Sequence, residues 1–116
     1  MSLKGTVDYR PWGRYEVLAD KDYCKIKEIF VSPGQRLSYQ SHQYRKETWT
    51  VVQGILTVII DGYEVVKGPG QSVKIPLGAK HRAWNQGENE CSFIEVQTGT
   101  YFGEDDIVRY EDDYER

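Results

Sequence analysis

The chain has 116 residues, of which 39% are hydrophobic and 28% charged, a composition typical of one folded globular domain and not of a disordered chain. Its formal net charge is −3, but residues 104–116 hold seven acidic and two basic side chains, so the preceding 103 residues carry +2. This distribution argues against a nucleic-acid-binding surface and is compatible with a small anionic ligand.

The longest apolar stretch, residues 55–60, is far too short to cross a membrane, and the N-terminus lacks the pattern of a secretory signal. We therefore expect a cytoplasmic protein that binds neither membranes nor nucleic acid, with one domain over residues 1–116. Cys24 and Cys91 lie 67 positions apart and form no zinc-finger or redox spacing. Two free thiols in a reducing compartment are the expected state, with a disulfide as the alternative.

Short segments rich in Val, Ile, Tyr, Phe and Thr recur along the chain, and no segment shows a sustained helical period. The predicted strands are residues 15–18, 23–31, 36–42, 48–53, 55–60, 63–66, 72–75, 82–84 and 91–98. Asp61 and Gly62 predict a two-residue hairpin turn, because both central positions of that turn need positive φ. Nine short strands at this spacing predict an all-β sandwich or barrel. Residues 1–14 are expected to form an N-terminal arm and residues 104–116 an acidic, solvated C-terminal tail, with one helical turn expected within residues 103–116.

Both histidines of the chain lie within ordered patterns punctuated by glycine. The fixed positions of these patterns are Gly34, Gln40, His42, Glu47 and Gly54, then Gly70, Pro76, Gly78, His81 and Asn85. Their spacing resembles the two cupin motifs, and nine of the ten fixed positions match. The resemblance implies an all-β fold, the cupin double-stranded β-helix, which is a jelly-roll barrel of two antiparallel sheets.

The one departure is Gln40, where the general cupin motif has a histidine. Residues 37–49 resemble the LSLQxHxxRxEHW stretch of type II phosphomannose isomerases, a cupin domain often found behind a mannose-1-phosphate guanylyltransferase. The likeness continues through residues 9–13, 75–78 and 94–99, and residues 101–109 are similar to the family's YxGEDDIVR. It therefore covers almost the whole chain in several separate motifs.

The resemblance implies a metal site at Gln40, His42, Glu47 and His81, and the residue types and strand geometry agree with it. Gln40 and His42 stand two apart on a strand and so project from the same face, while Glu47 and His81 enter from other strands. Two imidazoles, a carboxylate and an amide oxygen suit one divalent ion, with zinc as the first candidate and manganese, iron or cobalt as others. A weak amide ligand favours an open, catalytic site. The alternative is that both histidines are satisfied polar residues near the core.

Further site residues follow from alternation and from the resemblance. Glu95 and Gln97 share one strand face, which needs a polar cavity or partners, and Lys27 alternates with Ile29 so as to point inward. The resemblance implies that these side chains line an active site. On that basis Glu95 is the expected base, with Lys27 polarising the substrate. The expected substrate-binding residues are Arg45, Arg109, Gln97 and Tyr101, with the two arginines binding phosphate.

The resemblance implies a metal-dependent aldose–ketose isomerase acting on mannose 6-phosphate or a similar sugar phosphate. Two positions depart from the family pattern, since Tyr44 and Thr48 stand where the family has histidines. These departures favour an alternative, a non-catalytic sugar-binding cupin that accompanies a separate sugar nucleotidyltransferase. A dioxygenase fits less well, because Gln40 replaces a histidine that such iron sites use. If Glu47 faces the metal, strand alternation places Thr48 on the opposite face. We also expect a homodimer, because edge strands are prone to pair.

Overall fold

The computed structural model describes residues 4–114, which form eleven β-strands and no helix. The strands are β1 (Val7–Arg10), β2 (Gly13–Asp20), β3 (Cys24–Val31), β4 (Tyr39–Ser41), β5 (Arg45–Gln53), β6 (Leu56–Ile60), β7 (Tyr63–Lys67), β8 (Ser72–Ile75), β9 (His81–Trp84), β10 (Cys91–Gly99) and β11 (Val108–Glu111). Within this part of the chain, no helix is long and apolar enough to cross a bilayer.

The strands form two antiparallel sheets with their apolar faces turned towards each other. One sheet has the order β1-β2-β3-β10-β5-β8 and the other β11-β4-β9-β6-β7. Buried and partly exposed residues alternate strictly along β3, so one face of that strand points inward. The core between the sheets includes fully buried Phe93, Leu56, Val31 and Val58. Each such side chain contributes about 1.5–3 kcal/mol to folding by leaving water. The predicted jelly-roll barrel of two antiparallel sheets is confirmed.

The hairpin predicted at Asp61 and Gly62 is present. Asp61 has φ 47° and Gly62 has φ 85°, and Ile60 pairs with Tyr63 across the turn. Positive φ at both central positions is the geometry that joins two antiparallel strands without splaying them. Cys24 and Cys91 are free thiols, as expected.

Both ends of the described chain are more ordered than the sequence indicated. Within the expected N-terminal arm, β1 pairs with β2 in a hairpin. The helical turn expected within residues 103–116 is wrong for the described part, because β11 forms there and pairs with β4. Beyond β11, Asp113 accepts two hydrogen bonds from Arg36, at 2.6 and 3.1 Å, so this part of the acidic segment is docked on the barrel and not freely solvated.

Candidate metal and sugar phosphate site

His42, Glu47 and His81 form a buried cluster between the two sheets. Glu47 Oε2 lies 3.3 Å from His42 Nε2, and Glu47 Oε1 lies 3.7 Å from His81 Nε2. The candidate ligand atoms of the three residues lie within 4.8 Å of one another. The structure therefore brings together three of the predicted metal ligands from three separate segments of the chain.

Backbone carbonyls fix the orientation of both imidazoles. His42 Nδ1 lies 2.6 Å from the carbonyl oxygen of Asp106, and His81 Nδ1 lies 2.9 Å from that of Ala79. A carbonyl oxygen can only accept, so Nδ1 carries a hydrogen in each ring, and in a neutral ring Nε2 keeps its lone pair on the side of Glu47. His42 Nε2 also lies 3.3 Å from Arg45 Nη2. Burial lowers the pKa of His42, which keeps this ring neutral at pH 7. Two imidazole Nε2 atoms and a carboxylate are a donor set that fits a divalent transition metal ion.

Gln40, the fourth predicted ligand, lies beside this cluster. It is opposite His81 in the β4–β9 ladder, and paired residues share one face of a sheet. Its Nε2 donates to Ser38 Oγ at 2.9 Å, which leaves Oε1 as the atom that could face an ion.

The Glu47 carboxylate accepts hydrogen bonds from the Arg45 and Trp49 side chains. Arg45 Nε donates to Glu47 Oε2 at 2.9 Å, and Trp49 Nε1 donates to Glu47 Oε1 at 2.9 Å. Burial alone would raise the pKa of Glu47, but electrostatic interactions with the side chains of His81, Arg45 and His42 outweigh burial and lower that pKa to about 2. The carboxylate therefore stays ionised at pH 7. Arg45, predicted to bind phosphate, is thus already engaged through Nε. Its buried Nη1 finds no hydrogen-bond partner among residues 4–114.

Glu95 and Lys27 lie next to the cluster on neighbouring strands, paired in the β10–β3 ladder. Burial, reinforced by the charge of Glu47, raises the pKa of Glu95, and Gln97 Nε2 donates to Glu95 Oε1 at 2.5 Å. Burial alone would lower the pKa of Lys27, but the nearby carboxylates of Glu95 and Glu104 outweigh burial and raise that pKa. Since Glu104 Oε1 lies 2.7 Å from Lys27 Nζ, this contact keeps Lys27 charged even when Glu95 holds a proton.

An inner cavity of about 100 Å³ opens beside these groups, between strands β1–β3 and residues 104–109. Its charged lining residues are Arg10, Lys27, Arg45, Arg109, Glu95 and Glu104. Even with both carboxylates ionised, these six side chains leave an excess of positive charge. The cavity therefore favours an anionic ligand. Five predicted site residues, Lys27, Gln40, Arg45, Glu95 and Arg109, meet here.

Two predicted substrate-binding residues lie elsewhere. Gln97 is fully buried behind Glu95, where it orients the carboxyl group. Tyr101 is 45% exposed and donates to Asp105 Oδ1 at 2.5 Å. It lines a larger outer cavity of about 650 Å³, formed by residues 20–25 and 100–105. Glu104 lines both cavities and separates them.

Arg10, Lys25 and Glu104 lie at the two cavities but were not predicted as site residues from the sequence. Lys25 is buried on the same face of β3 as Lys27, which the alternation already implied for that position. Glu104 lies in the loop between β10 and β11, and Arg10 lies on β1, which was not predicted as a strand. Their positions depend on tertiary packing, and only the pattern for Lys25 was visible in the sequence.

The two departures from the family pattern lie outside the cluster. Thr48 pairs with Val96 on the outer face of β5, while Glu47 and Trp49 point inward, and the register here is regular. This agrees with the alternation prediction. Tyr44 is 53% exposed and meets Tyr101 edge to face. Neither substitution changes the buried donor set.

The family model for the mannose-6-phosphate isomerase C-terminal domain matches residues 3–112. The chain belongs to this family. Its members include cupins of proteins in polysaccharide biosynthesis, and the mannose-1-phosphate guanylyltransferase of Escherichia coli (strain K12) is 45% identical over 108 residues. The xanthan biosynthesis protein XanB of Xanthomonas campestris pv. campestris (strain B100) is also 45% identical over 108 residues. Each alignment covers 93% of this chain and 23% of the relative, so the chain spans about a quarter of the length of these curated proteins.

Among solved structures, an RmlC-like cupin from Shewanella frigidimarina superposes with a TM-score of 0.74 at 20% identity. The match covers 87% of each chain. At this identity the likeness establishes the cupin fold and nothing about chemistry.

Proposed function

We propose that this domain is a metal-dependent aldose–ketose isomerase that interconverts mannose 6-phosphate and fructose 6-phosphate, or a similar pair of sugar phosphates. The observation that carries the proposal is the position of the His42–Glu47–His81 cluster. Through Glu47 it contacts Arg45, which lines the same positively charged cavity as Glu95 and Lys27. An isomerase of this kind needs a proton carrier and a group that stabilises charge on the sugar's carbonyl oxygen.

Gln40, His42, Glu47 and His81 would hold the ion, which when bound would act as a Lewis acid towards the substrate's oxygen. Zinc is our first candidate, and manganese, iron and cobalt accept the same donors. The fixed Nε2 lone pairs and the ionised Glu47 support this assignment.

Glu95 is the proposed proton carrier. Its carboxylate takes the proton from C2 of the aldose, the C–H electrons form the C1–C2 double bond, and the carbonyl electrons move to O1. Lys27 donates a proton to O1, which gives the neutral enediol. Glu95 then returns its proton to C1 while the O2 hydroxyl proton passes to the Lys27 amine, leaving the ketone at C2. A raised pKa suits Glu95 to this role, because a carboxylate of higher pKa is a stronger base.

The test is an isomerase assay on purified protein whose metal content has been measured first. We expect one divalent ion per chain, and Glu95→Gln should lower turnover by about 10²-fold or more. Glu28→Gln is the matched control, since Glu28 lies next to Lys27 on β3 but on the other face. His81→Ala should strip the ion, because one remaining imidazole holds such an ion weakly. Metal-loaded, folded protein without turnover would refute the isomerase and favour the sugar-binding alternative.

A further inference from the structure

Two buried lysines share one carboxylate at the boundary between the inner and outer cavities. Lys25 and Lys27 are 2% and 4% exposed. Glu104 Oε2 lies 3.4 Å from Lys25 Nζ, and Glu104 Oε1 lies 2.7 Å from Lys27 Nζ. Each carboxylate oxygen therefore contacts a different ammonium. This is the arrangement in which two oxygens of a bound phosphate would also be held.

The two lysines and Glu104 project from different kinds of backbone structure. The lysines project from β3, a central strand paired on both sides by β2 and β10. Glu104 projects from the irregular segment between β10 and β11, and its side chain is 41% exposed. The cationic half of the contact is thus rigid, and the anionic half lies on a loop.

The cavity volumes give a second, independent reason to expect Glu104 to move. Sites for small ligands measure roughly 300–1,000 Å³. The inner cavity, at about 100 Å³, is too small for a hexose phosphate, whereas the outer cavity, at about 650 Å³, is large enough. Since Glu104 lines both, withdrawing its side chain would join them.

We propose that Lys25 and Lys27 form a binding site for the phosphate group of a phosphate monoester, and that the Glu104 carboxylate occupies this site until the phosphate displaces it. The sugar would then extend from the lysines into the inner cavity towards Glu95. Lys27 has three N–H donors, so one would contact a phosphate oxygen while another faces O1, the oxygen it protonates in the proposed reaction. This inference rests on the proposed function for the natural ligand, a sugar phosphate, but phosphate binding itself requires no turnover. It assigns the phosphate to Lys25 and Lys27, and not to Arg45 and Arg109, which were predicted to bind it.

Calorimetric titration with inorganic phosphate tests the competition between Glu104 and the ligand. Glu104→Gln should bind phosphate about fivefold or more tightly than the unmodified chain, because the competing charge is removed. Lys25→Met should weaken phosphate binding by a similar factor. Matched controls are Glu64→Gln and Lys74→Met, which change exposed residues of β7 and β8 and should leave the affinity unchanged.

If Glu104 is only a structural counter-ion, Glu104→Gln binds phosphate no more tightly than the unmodified chain, and this result overturns the proposal. A crystal structure of the unmodified chain with mannose 6-phosphate gives a test that needs no variant. We expect the phosphate within hydrogen-bond distance of both Nζ atoms and Glu104 turned away. A phosphate bound at Arg10 and Arg109, with Glu104 still on Lys27, would refute the site and leave the isomerase proposal standing. Phosphate binding without isomerase activity would refute only the latter.

Discussion

Trp49→Phe is the substitution that best tests how the barrel core supports the His42–Glu47–His81 cluster. The indole is 2% exposed, its ring lies 4.6 Å from that of Phe93, and its Nε1 donates to Glu47, whose side chain is 1% exposed. Phenylalanine keeps the stacking partner but removes the donor and one ring. The substitution therefore removes a hydrogen bond to the buried Glu47 carboxylate and reduces the packing of the core at the same time.

The expected loss of stability is about 3 kcal/mol. A buried hydrogen bond to a charged acceptor contributes about 1.5–3 kcal/mol. Removing about 40 Å² of buried apolar surface adds about 1 kcal/mol at about 25 cal/mol per Å². Since small domains are stable by about 5–15 kcal/mol in total, this is a substantial fraction.

The assay is urea unfolding followed by circular dichroism, with a chelator present so that bound metal does not contribute. Trp84→Phe is the control, because Trp84 is only partly buried and its ring is covered by the Arg36 guanidinium at 5.1 Å. A double-mutant cycle with Glu47→Gln should show coupling of at least about 0.5 kcal/mol. A loss below about 1 kcal/mol for Trp49→Phe, or independent effects in the cycle, would contradict the reasoning.

Four further outcomes follow from the described contacts. Thr48→His should leave metal stoichiometry unchanged in elemental analysis, because position 48 lies on the outer face of β5. Lysine contacts outweigh burial and lower the pKa of Glu104 to about 2, so the stabilisation it provides is present above about pH 4.5 and is lost as pH falls towards 2. Glu104→Gln should therefore flatten an acid-unfolding curve in that range. Burial raises the pKa of Cys91 to about 11, so a thiol reagent at pH 8 should modify Cys24 first and Cys91 only after unfolding. Light scattering should show a dimer that Val65→Lys on edge strand β7 converts to monomer, whereas an unchanged mass would place the interface elsewhere.

The buried cluster was predictable because its three residues occupy fixed positions in two short sequence motifs that are typical of cupins. His42 and Glu47 flank the start of β5, and His81 opens β9 directly after a Pro-Gly turn, so motif and alternation together placed all three side chains. The inward direction of Lys27 and Glu95 followed from the period of two along a strand.

The rest depended on contacts between distant parts of the chain. All four residues of β11 are exposed, so no alternation marks the strand, and it forms because β4 offers an unpaired edge. In the sequence, Glu104 is one of several neighbouring acidic residues and carries no distinguishing pattern. Its contacts with Lys25 and Lys27, which precede it by 79 and 77 positions, appear only in the folded structure. Alternation along β3 could have shown that Lys25 points inward, but not which partner it meets.

Asp106 gives the loop between β10 and β11 a fixed pivot. Its carboxylate oxygens accept hydrogen bonds from the backbone N–H groups of Gln43 and Tyr44, each at 3.0 Å, and its carbonyl oxygen holds His42 Nδ1. A swing of Glu104 can therefore be confined to the residues that precede Asp106. Such a movement would leave the contact between the Asp106 carbonyl and His42 Nδ1 in place, so it need not disturb the His42–Glu47–His81 cluster.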